Sequence, residues 1–238
     1  MGVNVFQINT QLLVKSFSVG IEKQKVLIID NFMQQPEHMV DYASARENFE
    51  HYTGHCNFYP GIKLPAPKEY SDSLMAVIKP ILAQGYEGIS LAWDMNKADC
   101  SLSLITIKPE SLRKVQLMPH FDSTNPYQFA LLLFLCNETH GGTAFYRHNT
   151  TGYETITQEK RKSFEDIYFR EIEEKPLKKE YFTDSDERFT KLGVADAKFN
   201  RMIIYRSCLL HSPYIDSTYS VDDNPKTGRL TANSFVAF

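Results

Sequence analysis

The chain has 238 residues, of which 42% are hydrophobic, 23% charged and 13% aromatic, with a formal net charge of −3. This composition supports one folded domain with a sizeable core and excludes a low-complexity or disordered chain. The small negative charge provides no basic field for nucleic acid, and the longest apolar run, 129–136, is too short to span a bilayer.

The N-terminus shows no basic stretch followed by an apolar one, so no signal peptide is expected. The four cysteines stand at 56, 100, 136 and 208 with no C-x-x-C spacing, and they read as reduced, buried thiols of a cytoplasmic protein.

In chain order, KVLIIDNF (25–32) reads as a buried strand, since four consecutive apolar residues precede Asp30-Asn31. Pro36-Glu37 opens a helix. Segment 51–69, with Gly54, Pro60-Gly61, Pro65 and Pro67, reads as loop. A second helix is capped by Ser71 or Asp72 and carries Leu74, Ile78, Ile81 and Leu82 on one face, with Pro80 kinking or shortening it. From about residue 88 the pattern turns to strands: ISLAWDM, SLSLITI, FALLLFLC, GGTAFY, RMIIYR, CLLH and RLTANSFVAF. Trp93 is expected in the core. Between them, 159–188 holds 8 Lys/Arg and 10 Asp/Glu, which predicts a solvated helical insertion at about 150–195. The expected layout is a single domain over 1–238. An α/β segment, 1–87, packs on a β sandwich or barrel formed by 88–238.

Chemistry concentrates at three places. In an extended segment His120 and Asp122 project to one face, while Phe121 points away into packing. His211, at the end of an apolar strand, adds a third donor, and two His with one carboxylate form a facial triad. In the last strand Arg229, Thr231 and Asn233 alternate onto one face. Inside a β core such a polar row needs a reason: either an anionic ligand, which guanidinium pairs with well, or a face turned to solvent. His51, His55 and Cys56 could be read as a zinc set on a helix, but Thr53 and Gly54 favour a turn. His140 and His148 read as surface loop residues near the site.

These residues, in this order, resemble the Fe(II)/2-oxoglutarate-dependent dioxygenase superfamily, and within it the prolyl-4-hydroxylase-like branch. His120-x-Asp122 and His211 are similar to its metal ligands. Gly141-Gly142-Thr143-Ala144-Phe145 is similar to the branch's Gly-Gly turn and strand, and Gly228-Arg229 to its 2-oxoglutarate-binding element. VLIIDNFMQQPEHMVDYA is similar to the opening strand and helix of such proteins, and Tyr59-Pro60-Gly61 to a segment of a bacterial subgroup.

The resemblance covers roughly 88–238. It implies a mainly β fold with flanking helices around a double-stranded β-helix, a jelly-roll of the cupin kind. It implies Fe(II) and 2-oxoglutarate as cofactors, with decarboxylation to succinate and hydroxylation of a small-molecule or peptidyl substrate, and a possible homodimer. His120, Asp122 and His211 would be the catalytic metal ligands. Arg229 would bind the cosubstrate, with Thr231 as second anchor and Asn233 and Gln128 behind it, because Ser101 and Ser103 stand where the branch has a tyrosine. The span from His211 to Arg229 is longer than in the branch, so a loop at about 213–227 intervenes. Tyr59, Arg147 and Arg206 are the expected substrate contacts. Two alternatives use the same barrel: a zinc or manganese isomerase or hydrolase, which would need the triad but not Arg229, and a non-catalytic binding module.

Overall fold

The computed structural model describes residues 4–45, 59–96, 99–174, 176–216 and 221–238. The strands are β1 Val14–Val19, β2 Gln24–Ile29, β3 Gly61–Pro65, β4 Asp99–Ile105, β5 Gln128–Phe134, β6 Gly142–His148, β7 Phe189–Asp196, β8 Arg201–Arg206, β9 His211–Tyr214 and β10 Leu230–Ala237. The helices are α1 Glu37–Ser44, α2 Lys68–Gly85 and α3 Gln158–Glu174. Seven strands form one antiparallel sheet in the order β1-β2-β8-β5-β10-β4-β3, and three form a second in the order β7-β6-β9. A short bridge between His120 and His211 adds a fourth position to the smaller sheet. From β4 onward the chain therefore visits large, small, large, small, small, large, small and large sheet in turn, which is the winding of a double-stranded β-helix.

Three apolar layers hold these parts together. Ala130 and Phe134 of β5 meet Phe145 of β6, Ala195 of β7 and Ile203 of β8 between the sheets. The alternate residues of β5, Phe129, Leu131 and Leu133, face the other way, onto Tyr70, Leu74, Ile78 and Leu82 of α2. A strand covered on both faces must be apolar throughout, which explains the unbroken run at 129–136. On the outside of the smaller sheet Ala144, Tyr146 and Phe189 pack against Phe164, Tyr168 and Ile172 of α3. Burying each large aliphatic side chain of α2 contributes about 1.5–3 kcal/mol. That anchorage on both sides of Pro80 lets α2 run through the proline, which neither shortens nor ends it.

Several expectations need correction. Helix α2 begins at Lys68 after Pro67, ahead of Ser71 and Asp72; neither caps it, and Asp72 pairs with Lys68. Segment 51–69 is not all loop, because Gly61–Pro65 is an edge strand beside β4. Its Pro65 stands at the end of an edge strand, where a missing N–H is tolerated. Residues 89–95 form no strand, and Trp93 is 40% exposed, stacked edge-on to Tyr127 at the surface. The expected insertion at about 150–195 is helical only over α3, and its C-terminal part belongs to β7, a strand of the smaller sheet. The N-terminal segment also does more than pack on the barrel, since β1, β2 and β3 extend the larger sheet at both edges. Cys136 and Cys208 are buried free thiols, while Cys100 is half-buried. His51, His55 and Cys56 lie outside the described residues. Among the described residues no helix is long and apolar enough to cross a membrane.

Candidate metal centre

His120 and His211 face each other across the bridge that completes the smaller sheet. Each backbone N–H donates to the other's carbonyl at 2.8 Å, and the imidazole rings lie 4.4 Å apart. The backbone of Asp122 is fixed two residues on, where its N–H donates to Ser207 O at 2.9 Å. His211 begins β9 and does not end the strand before it, because Ser207 and Cys208 turn the chain after β8.

The ligand atoms of His120, Asp122 and His211 all lie within 4.8 Å of one another. Asp122 Oδ2 stands 3.4 Å from His211 Nε2, and Asp122 Oδ1 stands 3.9 Å from His120 Nε2. His211 Nδ1 lies 2.8 Å from Leu209 O, a carbonyl that only accepts, so Nδ1 carries the proton and Nε2 keeps its lone pair for a cation.

Electrostatics point the same way. Desolvation by the surrounding cleft walls, and next the nearby His211 imidazole, hold the His120 pKa well below the usual histidine value. Desolvation by the same walls raises the Asp122 pKa, with His211 and Lys63 opposing it. A neutral imidazole is the ligand form, and a cation beside Asp122 restores the carboxylate that desolvation disfavours. The donor set of two imidazoles and one carboxylate fits a first-row divalent metal.

Arg229 enters the cleft beside this group. It is 2% exposed. Its Nε donates to His140 O at 3.1 Å and its Nη2 to Gly142 O at 2.7 Å, and the guanidinium lies over the Phe134 ring. The two carbonyls flank Gly141, whose φ of +84° makes the turn that aims them; a Cβ there would lie 1.7 Å from Tyr214 O. Among the described residues no carboxylate pairs with Arg229. Its charge is held by neutral dipoles, an arrangement that calls for an anionic guest.

Both features open into one cleft of about 390 Å³. Tyr59, Gln128, Thr231 and Asn233 line it. Thr231 Oγ1 leans 3.4 Å from Ser103 O. Thr143 Oγ1 and Asn233 Oδ1 are buried there with no partner among the described residues, so polar atoms remain for a bound carboxylate.

Arg147 and Arg206 do not line the cleft. Arg147 reaches Glu154 at 3.5 Å, and Arg206 lies over the Tyr86 and Phe129 rings on the helix side of the larger sheet. Phe121 does not point wholly into packing, since it lines the cleft and meets Phe164 edge-on. His140 and His148 are buried, not loop-surface residues: His140 Nε2 sits 2.9 Å from Thr227 O, and His148 Nε2 sits 3.1 Å from Glu171. Sequence reasoning missed Lys63, Thr143, Tyr205 and Phe235 as lining residues. The i, i+2 alternation from Asn233 to Phe235 was a usable signal for the last of them.

The family of unknown function DUF6445 matches residues 10–236. No curated protein matches the chain. Solved structures that it resembles include the non-heme alpha-ketoglutarate-dependent epimerase SnoN from nogalamycin biosynthesis, at 11% identity and TM-score 0.49, covering 91% of this chain and 79% of that one. A structure of HygX from Streptomyces hygroscopicus with nickel and 2-oxoglutarate bound aligns at 9% identity and TM-score 0.48, over 91% and 84% of the two chains. An N-substituted L-amino acid dioxygenase from Burkholderia ambifaria AMMD aligns at 9% identity and TM-score 0.43, over 94% of each.

Proposed function

The chain belongs to DUF6445, a family of unknown function, and from its site we propose that it is an Fe(II)- and 2-oxoglutarate-dependent oxygenase, a hydroxylase of a small-molecule or peptidyl substrate. The carrying observation is that a buried Arg229, with no carboxylate partner among the described residues, shares one cleft with the His120–Asp122–His211 cluster. A bare metal-dependent isomerase or hydrolase would explain the cluster and leave the buried guanidinium without a purpose.

2-Oxoglutarate matches both features. One end is a carboxylate for the guanidinium, and the other is a 2-oxo acid, a chelating group for a metal that keeps open positions. Bound together, Fe(II) and 2-oxoglutarate supply oxygen activation and a two-electron oxidation of substrate, with succinate and carbon dioxide as co-products. The protein's own share is placement and exclusion. The bridge and the Leu209 carbonyl fix the two imidazoles, the His140 and Gly142 carbonyls fix the guanidinium, and Thr143, Thr231 and Asn233 offer polar atoms beside it. Leu132, Tyr205 and Phe235 line the same cleft and keep water from its wall.

The test is an anaerobic titration of the metal-free protein with Fe(II) and then 2-oxoglutarate, following the weak visible charge-transfer band of a chelated 2-oxo acid. The expected result is a band in the wild type that needs about a hundredfold more 2-oxoglutarate in Arg229→Ala, as loss of a buried charge-assisted pair dictates. Iron binding with no band would overturn the proposal.

A further inference from the structure

We infer that the substrate of this cleft presents an uncharged amide, and that the side-chain amide of Gln128 receives it beside the rings of Phe121 and Phe235. The inference rests on the oxygenase reading above, because it takes the metal and Arg229 as the two ends of the 2-oxoglutarate site and places the substrate past the metal.

Sheet register divides the cleft in two. Arg229 stands just ahead of β10, whereas Gln128 pairs with Ala237, the last residue of that strand. The eight residues of β10 span about 25 Å. On the smaller sheet Gly142, whose carbonyl holds Arg229, stands three residues before Phe145, which pairs with His211. That separation is about 10 Å, room for a five-carbon guest chelated at one end and held by guanidinium at the other. Tyr205, whose ring centre lies 4.9 Å from that of His211, shares a row with Ala130 and Phe235. Gln128 stands two residues before Ala130 on β5, at the far end from Arg229. Its carbonyl accepts from the Ser207 N–H at 2.8 Å, and Ser207 O accepts from the Asp122 N–H at 2.9 Å. Gln128 therefore lies by the carboxylate of the metal cluster and past it from Arg229, where 2-oxoglutarate does not extend.

The side chain of Gln128 lines the cleft and makes no hydrogen bond with the described residues. A primary amide offers two donors and an acceptor, and a guest that answers both along one edge is another amide. Charge points the same way. Among the described residues lining the cleft, the Lys, Arg and Asp side chains are Lys63, Arg229 and Asp122. Lys63 stands in the strand row of Ser103 and Thr231, toward the Arg229 end, and Asp122 is taken up by the metal. A charged group on the substrate at the Gln128 end would be desolvated there without a counter-charge, which is costly, whereas a neutral amide is not. Phe121 and Phe235 line the same end, so the part of the substrate next to the amide is apolar. The Phe121 wall is backed by Phe164 of α3, with the ring centres 5.9 Å apart.

The experiment compares 3-phenylpropanamide with its near-isosteric ketone, 4-phenylbutan-2-one, and with the acid, 3-phenylpropanoate. Each is titrated calorimetrically into the full chain held anaerobically with Fe(II) and saturating 2-oxoglutarate. The wild type should bind the amide about tenfold more tightly than either of the others, the size of one satisfied hydrogen-bonding group. Gln128→Met keeps the length of the side chain and removes its amide. It should bring amide and ketone level, with the thermal midpoint and the 2-oxoglutarate affinity unchanged. An amide preference that persists in Gln128→Met, no preference in the wild type, or an acid bound as tightly as the amide overturns the inference. If Gln128→Met weakens 2-oxoglutarate instead, Gln128 is a cosubstrate residue, and the inference fails while the oxygenase reading stands. If the wild type binds no 2-oxoglutarate yet prefers the amide through Gln128, the oxygenase reading fails and the amide subsite stands.

Discussion

The backbone amides of His120 and His211 donate to each other's carbonyls, at 2.8 Å in each direction. Two proposed ligands separated by most of the barrel's sequence are thereby set by sheet register, with little left to side-chain flexibility. His120→Ala and Asp122→Ala should each lose stoichiometric Fe(II) after anaerobic dialysis, read by metal analysis. Their thermal midpoints without metal should move little, because both side chains are partly exposed, at 34% and 22%. Iron held at full stoichiometry in both variants would remove them from the ligand set.

Gly141 offers a test that touches neither ligand nor cosubstrate. Its positive φ, and the carbonyl of Tyr214 against the place of a Cβ, make Gly141→Ala costly, by about 2 kcal/mol or more. Because the turn aims the His140 and Gly142 carbonyls at Arg229, the same change should weaken 2-oxoglutarate binding in the folded fraction. Urea unfolding and the charge-transfer titration read the two effects separately.

Helix α3 should behave as part of the core despite its charge. Phe164 is 2% exposed and packs with Phe121 and His148. Phe164→Ala should cost about 3–5 kcal/mol in chemical denaturation. A loss under about 1 kcal/mol would show that the helix is a surface addition after all.

Asp30 supplies a pH-dependent term. The Arg201 guanidinium donates to both of its oxygens, at 2.6 and 3.1 Å, and holds its pKa below the usual carboxylate value. The folded pKa lies below the unfolded one, so this stabilisation is present above the unfolded value and is lost as pH falls through the folded one. Both groups keep partial solvent contact, which limits the effect to about 1 kcal/mol. Asp30→Asn should be less stable than wild type at neutral pH, and the gap should close as the pH drops below about 4. A gap that widens in acid would contradict this sign.

What could be read from the sequence divides by physical cause. The residues of the candidate site stand out in the sequence because their chemistry is unusual for where they stand: His and Asp at i and i+2, and an arginine heading the last strand. Lys63 was hidden because β3 is short, ends in proline and lies at a sheet edge, so it carries a loop's composition. β1, VKSFSV, is likewise an edge strand with its polar residues outward and shows little apolar signal. Trp93 went astray because an aromatic at the rim can stack on Tyr127 without being buried. His140 and His148 depend on Thr227 and Glu171, partners distant in sequence that no local pattern announces. The barrel winding itself followed from motif order, since strand propensity does not say which sheet a strand joins.

The extension of the barrel by β1, β2 and β3 also bears on how the chain reaches its native state. Ile29 pairs with Met202, and Leu64 with Leu102, so β2 leaves the ribosome long before β8 exists to receive it. Pairings of such sequence separation make for slow folding, in the millisecond-to-second range or beyond. The apolar β2 strand, with Val26, Leu27 and Ile29 awaiting cover, is exposed during synthesis to wrong partners and to holding chaperones.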